Sequence, residues 1–262
     1  MQSDHATGFD RFCKIDDDCY PIAPGWLEAL ERTAESGKSD AGAPLAYVTP
    51  LINNNTWGFA QTLDIMGLRE RYLEEVATPH YVGPPKNRRI ARADEIETGM
   101  CGTIWGNPSF ARWLHRETTL QPEAFIAATK GQTVCKVRNR KRYSIGCILF
   151  EKPIWFDMFL EDSNSDEGMM HRHCADTGKR ILCDRSVPFV HLHYYVQREE
   201  NADITEVASK VYQRHCAPRF RISAFSSKQH ELEARLRHLE ERMGKPSGEA
   251  PAKAENPDGF RR

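Results

Sequence analysis

The chain has 262 residues, 40% of them hydrophobic and 28% charged, with 36 Lys plus Arg against 37 Asp plus Glu for a formal net charge of -1. That length supports a core that needs no metal or disulfide staple, and the balanced charge supplies no global field to recruit nucleic acid or an anionic membrane. No apolar run approaches the roughly 20 residues of a membrane helix, no basic start or apolar stretch marks a signal peptide, and the 8 Cys include no CxxC pair to suggest a secreted disulfide framework. The chain therefore reads as a cytoplasmic protein in which any anionic ligand needs a local site.

In chain order, FDRFCKI alternates apolar and polar residues and predicts a strand that runs through Asp16, Asp17 and Asp18 into a loop with Pro21, Pro24 and Gly25. WLEALERTAES has a helical period over Trp26, Leu27, Leu30 and Ala34, and LAYVTPLI predicts a second strand closed by Pro50 and the run Asn53, Asn54, Asn55. Residues 59–76 read as one helix with Leu63, Met66 and Leu68 on one side and Gly67 as its weak point. Residues 78–92 hold three Pro, one Gly and a basic cluster and read as a surface loop.

Pro108 suits the first turn of a helix, and residues 141–159 predict a strand pair or a strand followed by a turn. SDEGMMHRHCADTGKRI has acids at its start, and Gly178 with basic neighbours at its end, the order that a helix dipole favours. RILCDRSVPFVHLHYYV then reads as strand. Residues 227–243 place Leu232, Leu236 and Leu239 on one stripe of an amphipathic helix, and residues 244–262 lack a core-forming pattern and read as a disordered tail. Alternating strands and helices predict an α/β architecture over residues 1–226.

Like charges a few ångströms apart repel unless a cation or a hydrogen-bond network compensates them. Asp16, Asp17 and Asp18 at a strand end therefore invite a divalent ion, with strand alternation putting Asp16 and Asp18 on one face, where Mg²⁺ or Mn²⁺ could bridge to a diphosphate. The plainer alternative is a solvated acidic turn.

FDRFCKIDDDCYPIAPGWLEAL resembles the metal-binding strand end of GT-A fold glycosyltransferases, which are nucleotide-sugar-dependent enzymes. SDEGMMHRHCADTGKRILCDRSVPFVHLHYY is similar to the late segment of bacterial family-2-like members: an acidic pair (Asp166, Glu167), then Gly178, the short strand RIL and a closing His191. The resemblance implies a partial GT-A (Rossmann-like) domain with a mixed sheet. It makes Asp18 the direct metal ligand, Asp16 a contact to the nucleotide ribose or a metal-bound water, Asp17 a support, and His191 a further metal ligand. Glu167, or Asp166 since the pair's order is swapped, would be the base. The implied reaction moves a sugar from a UDP- or GDP-sugar donor to a carbohydrate, glycan or lipid-linked acceptor with inversion, using Mn²⁺ or Mg²⁺. In the family the acidic motif follows a nucleotide-binding half, so the triplet at residue 16 predicts a chain lacking that half.

Other readings compete. His171, His173, Cys174, Cys183, His191 and His193 form a dense set of zinc-type ligands that would suit a zinc- or other metal-dependent hydrolase. His193 shares a strand face with His191 and replaces it if the register slips by two residues. Asn53, Asn54 and Asn55 with Trp57 could line a sugar pocket or simply form a turn, and Trp105, Trp113 and Trp155 carry the same ambiguity. Lys86, Arg88, Arg89 and Arg92, and the basic run at 136–142, could clamp phosphate or be solvated surface. A non-catalytic binding fragment completes the set.

Overall fold

The structure is a computed structural model. It describes residues 8–39, 42–55, 57–75, 81–82, 89–90, 104, 108–137, 145–158 and 166–221, with 228, 229, 231, 233 and 235 beyond them. Two compact units divide the chain, residues 1–220 and 221–262. In the second, the described residues are helical, with Gln229 donating to Glu233 and Arg235 pairing with Glu231 at helical spacing. The leucine stripe predicted there and the tail at 244–262 lie outside the described residues.

The first unit is α/β, built on a mixed, open sheet. Its strands are β1 (Arg11–Ile15), β2 (Cys19–Pro21), β3 (Leu45–Ile52), β6 (Val134–Val137), β7 (Cys147–Glu151) and β8 (Arg180–His191); β4 (Tyr81–Val82) and β5 (Arg89–Ile90) pair separately. The order is β1-β7-β3-β8-β2, with β6 on the same side of β8 as β2 but paired to its first half. β1 and β3 both run antiparallel to β7, and β3 runs parallel to β8, so β1, β3 and β8 all point their carboxyl ends the same way.

β3 and the outer thirds of β8 are buried at successive positions, which means that both sheet faces are covered, and the Val, Ile, Leu and Phe content of these strands follows from that. Pro50 and Pro188 would each break a ladder. Both flank the β3–β8 register shift between Pro50 and Leu51, and there the buried Asp184 takes Thr33 Oγ1 at 2.7 Å and the Ser186 backbone N–H at 3.0 Å.

Among the described residues, eight α-helices decorate the sheet: α1 (Trp26–Ser39), α2 (Gly58–Ile65), α3 (Arg69–Glu75), α4 (Pro108–Glu117), α5 (Pro122–Thr129), α6 (Lys152–Met158), α7 (Asp166–Thr177) and α8 (Ala202–Val211). The helix expected over 59–76 is two helices, because Gly67 adopts φ 67° and turns the chain between them. The second half of the strand pair expected over 141–159 is α6. Its Trp155 packs on Phe150 with ring centroids 5.4 Å apart rather than entering a ladder. The stretch expected as a loop over 78–92 contains the β4–β5 ladder. Gly178, at φ 65°, ends α7 as its sequence pattern predicts.

Two apolar clusters result among the described residues. The larger one joins the sheet to Leu30 and Ala34 of α1, Phe125 of α5 and Met169, Met170 and Cys174 of α7. The smaller one is aromatic, with Phe59, Tyr72 and Phe110 from α2, α3 and α4 in edge-on and tilted contacts at 4.5–6.3 Å.

α2 starts on Gly58 for a steric reason: a Cβ there would lie 2.1 Å from the Ile52 carbonyl oxygen, a backbone atom that cannot swing aside. Gly58→Ala is therefore expected to destabilise the chain by about 1–3 kcal/mol. Urea unfolding would show it as a lower midpoint at an unchanged m value.

Candidate functional site

The carboxyl ends of β1, β3 and β8 converge, and open α/β sheets form their sites at such an edge. β1 ends at Ile15 on one rim of the sheet, and β2 begins at Cys19 on the far side of β8. The acidic triplet is the short crossing between them. Its geometry is a turn, closed by Cys19 N donating to Asp16 O at 3.1 Å and anchored by Asp16 N on Gly146 O at 2.8 Å, not the strand extension that the alternation predicted. Asp16 and Asp18 consequently face different partners, and Asp17 is exposed.

Asp18 lies between two histidines from the end of β8. Its Oδ1 is 3.5 Å from His191 Nε2, and its Oδ2 is 3.3 Å from His193 Nδ1. Leu192 N donates to the Asp18 carbonyl at 3.0 Å, which fixes the crossing to the strand end. Burial raises the Asp18 carboxyl, but the hydrogen bond and charge of His191 and the charge of His193 outweigh it and hold the group below its ordinary range.

The two histidines differ in which nitrogen carries the proton. His191 Nδ1–H donates to the Asn54 carbonyl at 2.8 Å, so in the uncharged ring the lone pair is on Nε2, aimed at Asp18. Arg198 Nε donates to His193 Nε2 at 3.1 Å, so the His193 proton sits on Nδ1, which lies 3.3 Å from the same carboxylate without a hydrogen bond to it. A lone pair facing a carboxylate oxygen calls for a proton or a cation between them. An N–H facing one does not. Of the two candidates, His191 is the one oriented as a ligand, and His193 acts on the carboxylate through its charge.

The asparagine run is the floor under His191. Asn53, Asn54 and Asn55 have no exposed surface. Asn53 Oδ1 accepts from His191 N at 3.1 Å while its Nδ2 donates to Thr118 and Thr119. Asn54 Nδ2 donates to Gln197 Oε1 at 2.9 Å, and Asn55 Oδ1 takes the Trp57 N–H at 3.0 Å at the start of α2. The alternative of a sugar-lining pocket is thus replaced by a structural role, since fully buried amides cannot meet a ligand. Asn54 Oδ1, like His193 Nδ1, is buried without a hydrogen-bond partner.

His115, fully buried in α4, closes this network through Thr119 Oγ1 at 2.7 Å and Asn54 Nδ2 at 3.5 Å. Burial drives its pKa down to about 4, with the charges of His191 and His193 acting the same way.

The acidic pair at the start of α7 is joined to the triplet by one cation. Lys14 Nζ contacts Asp16 Oδ1 and lies 3.7 Å from Asp166 Oδ2. Asp166 Oδ1 also accepts the Glu167 N–H at 2.7 Å, so both Asp166 oxygens are engaged. Glu167 raises the pKa of the fully buried Tyr47, behind burial and Cys174 as causes.

Among the described residues, one group of three or more His, Cys, Asp or Glu presents mutually close ligand atoms: Asp18, Cys19 and His191, within 4.8 Å of one another. The zinc-type set is dispersed by comparison. His173 Nε2 accepts from Lys179 at 2.9 Å, Cys174 is buried in the core under α7, and Cys183 lies opposite Cys135 on β6. No protein-family model, curated protein or solved structure matches the chain. The site is consequently read from its own geometry.

Trp113 donates to Glu75 at 2.9 Å and belongs to the aromatic cluster, and Trp105 with the basic residues at 86–88, 92 and 138–142 lies outside the described residues, as do the side chains of β5. No described helix is long and apolar enough to cross a membrane. Sequence reasoning missed Cys19, His115 and Gln197, none of which stands in a recognisable spacing.

Because the folded His115 takes its proton near pH 4 while the unfolded one does so near 6.5, the unfolded state binds more protons between those values. Stability from this group is full above about pH 6.5 and falls as the pH drops toward 4, by about 3 kcal/mol in total. Urea unfolding at pH 7, 6 and 5 is expected to show that decline, and a shallower one in His115→Gln.

Proposed function

We propose that this chain is a metal-dependent, inverting glycosyltransferase of GT-A type that moves a sugar from a nucleotide-sugar to a carbohydrate, glycan or lipid-linked acceptor. The observation that carries the reading is the meeting of Asp18 with His191. These residues come from the two ends of the resembling sequence, and they lie 3.5 Å apart with the His191 lone pair directed at the carboxylate. The mixed α/β sheet, with its acids at the carboxyl end of parallel strands, supports the same reading.

A divalent cation fits these donors: an ionised carboxylate and an imidazole nitrogen already oriented by a second hydrogen bond. Asp18 and His191 would hold it, and Mn²⁺ or Mg²⁺ bound there offsets charge on the departing diphosphate. Asp16, turned toward Lys14, would face the nucleotide ribose. Asp166 pairs with Lys14 and accepts the Glu167 N–H, and the spacing of the resembling segment makes Glu167 the base. Its carboxylate removes the acceptor hydroxyl proton as that oxygen attacks the anomeric carbon; the bond from that carbon to the diphosphate oxygen breaks, and the configuration inverts.

A thermal-shift titration with Mn²⁺ and UDP or GDP tests the site directly. A ligand at 100 times its Kd stabilises the native state by about 2.7 kcal/mol, so Tm is expected to rise by several degrees with cation plus nucleotide and to stay unchanged in Asp18→Ala. No shift with any nucleotide would reject donor binding by this chain. Where transfer is observed, Glu167→Gln is expected to reduce its rate by about 10²–10⁴-fold, and Asp166→Asn by much less.

A further inference from the structure

The carboxylate and imidazole do not complete the centre. Cys19 stands directly opposite His191 in the antiparallel β2–β8 ladder. Residues so paired project to the same face with Cβ atoms about 4.5–5.5 Å apart, and the Cys19 Sγ, a His191 nitrogen and an Asp18 oxygen all lie within 4.8 Å of one another. Cys19 is the buried residue of β2. It occupies space that only a glycine leaves open, because a Cβ on Gly146 would come within 2.7 Å of Sγ.

We infer that Cys19 Sγ is the third protein ligand of the cation site, making it a mixed sulfur, nitrogen and oxygen centre that takes Zn²⁺ or Co²⁺ ahead of Mg²⁺. This deepens the reading of Asp18 and His191 as metal ligands and rests on it. The chemistry is that of ligand softness: a thiolate favours borderline cations, while Mg²⁺ demands a near-octahedral shell of hard oxygens. Three protein ligands with a fourth position open is also the arrangement of a catalytic rather than a structural zinc site. Without a cation, burial together with the negative charge of Asp18 and Asp16 holds the Cys19 thiol well above its ordinary pKa. On coordination the S–H bond is replaced by a sulfur–metal bond and the proton leaves to solvent.

Co²⁺ titration of the full chain, followed by absorbance, tests this without any assay of transfer. The expected result is an intense thiolate-to-cobalt charge-transfer band that saturates at one equivalent. Stoichiometric Zn²⁺ should abolish it and a large excess of Mg²⁺ should not. Cys19→Ser should remove the band and weaken Zn²⁺ binding by at least about tenfold, the lower end of what losing even an outer-sphere partner costs. The chain has seven other cysteines, so a band that survives in Cys19→Ser overturns the assignment.

Zinc-edge X-ray absorption on the unmodified chain gives the same answer if that variant does not fold: one sulfur at about 2.3 Å with nitrogen or oxygen neighbours at about 2.0–2.2 Å is expected. A shell of nitrogen and oxygen alone overturns it. Co²⁺ bound by equilibrium dialysis, lost in Asp18→Ala and without the band, rejects the cysteine while leaving the Asp18–His191 site standing. Binding of no cation rejects both.

Discussion

The hydrogen bond from His191 Nδ1 to the Asn54 carbonyl is the contact on which the rest of the site depends. It joins the carboxyl ends of β8 and β3, and it decides which nitrogen of His191 meets Asp18. Holding that carbonyl in place requires the asparagine turn to be fixed from every side. An amide buried without partners is expensive, and one fully bonded is rigid. Asn53 is bonded to α4's terminus and to β8, Asn54 to Gln197 and His115, and Asn55 to the start of α2. Two helices and two strands are thereby referenced to one imidazole.

The acidic triplet is stabilised by being divided. Three carboxylates on one strand face would repel at close range. The turn separates them: Asp16 goes to Lys14 and, through it, to Asp166; Asp17 goes to solvent; Asp18 goes to the two histidines. The division also assigns different chemistry to neighbouring residues, since Asp16 sits in a charge-neutralised pair while Asp18 faces a lone pair. Lys14 alternates with Phe12 along β1 and so reaches this edge from within the strand, a placement that the FCKI pattern already contains.

Much of this was legible in the sequence. The α/β class, β1 and its acids, α1, β3, α4, α7 with Gly178, and β8 ending at His191 follow from periodicity and breaker residues, and the two acidic groups stand out as charge concentrations. What escaped was set by partners distant in sequence. Three residues, Cys19–Pro21, become a strand only because β8 offers them an edge, and no local propensity marks CYP as β. The asparagines read equally well as pocket or turn until His191 and Gln197 are beside them. The helix expected through Gly67 broke, and the strand expected after β7 coiled into α6, because packing of Trp155 on Phe150 outweighed the local β-like composition.

The pairing of Cys19 with His191 shows why an edge strand of only three residues is kept. A longer β2 would pair further along β8, where β6 already lies against the strand's first half, so the two share one side of β8 end to end. The short β2 brings one residue to the site, opposite the one histidine whose lone pair is oriented, and the crossing that precedes it supplies the carboxylate. Register, turn length and the absence of a side chain on Gly146 together set where that sulfur can be. A shift of β2 by one residue would turn Cys19 to the other face of the sheet and put Asp18 or Tyr20 opposite His191, with no sulfur beside the imidazole. The donor set is therefore a property of strand register, which explains why no spacing rule in the sequence announces it.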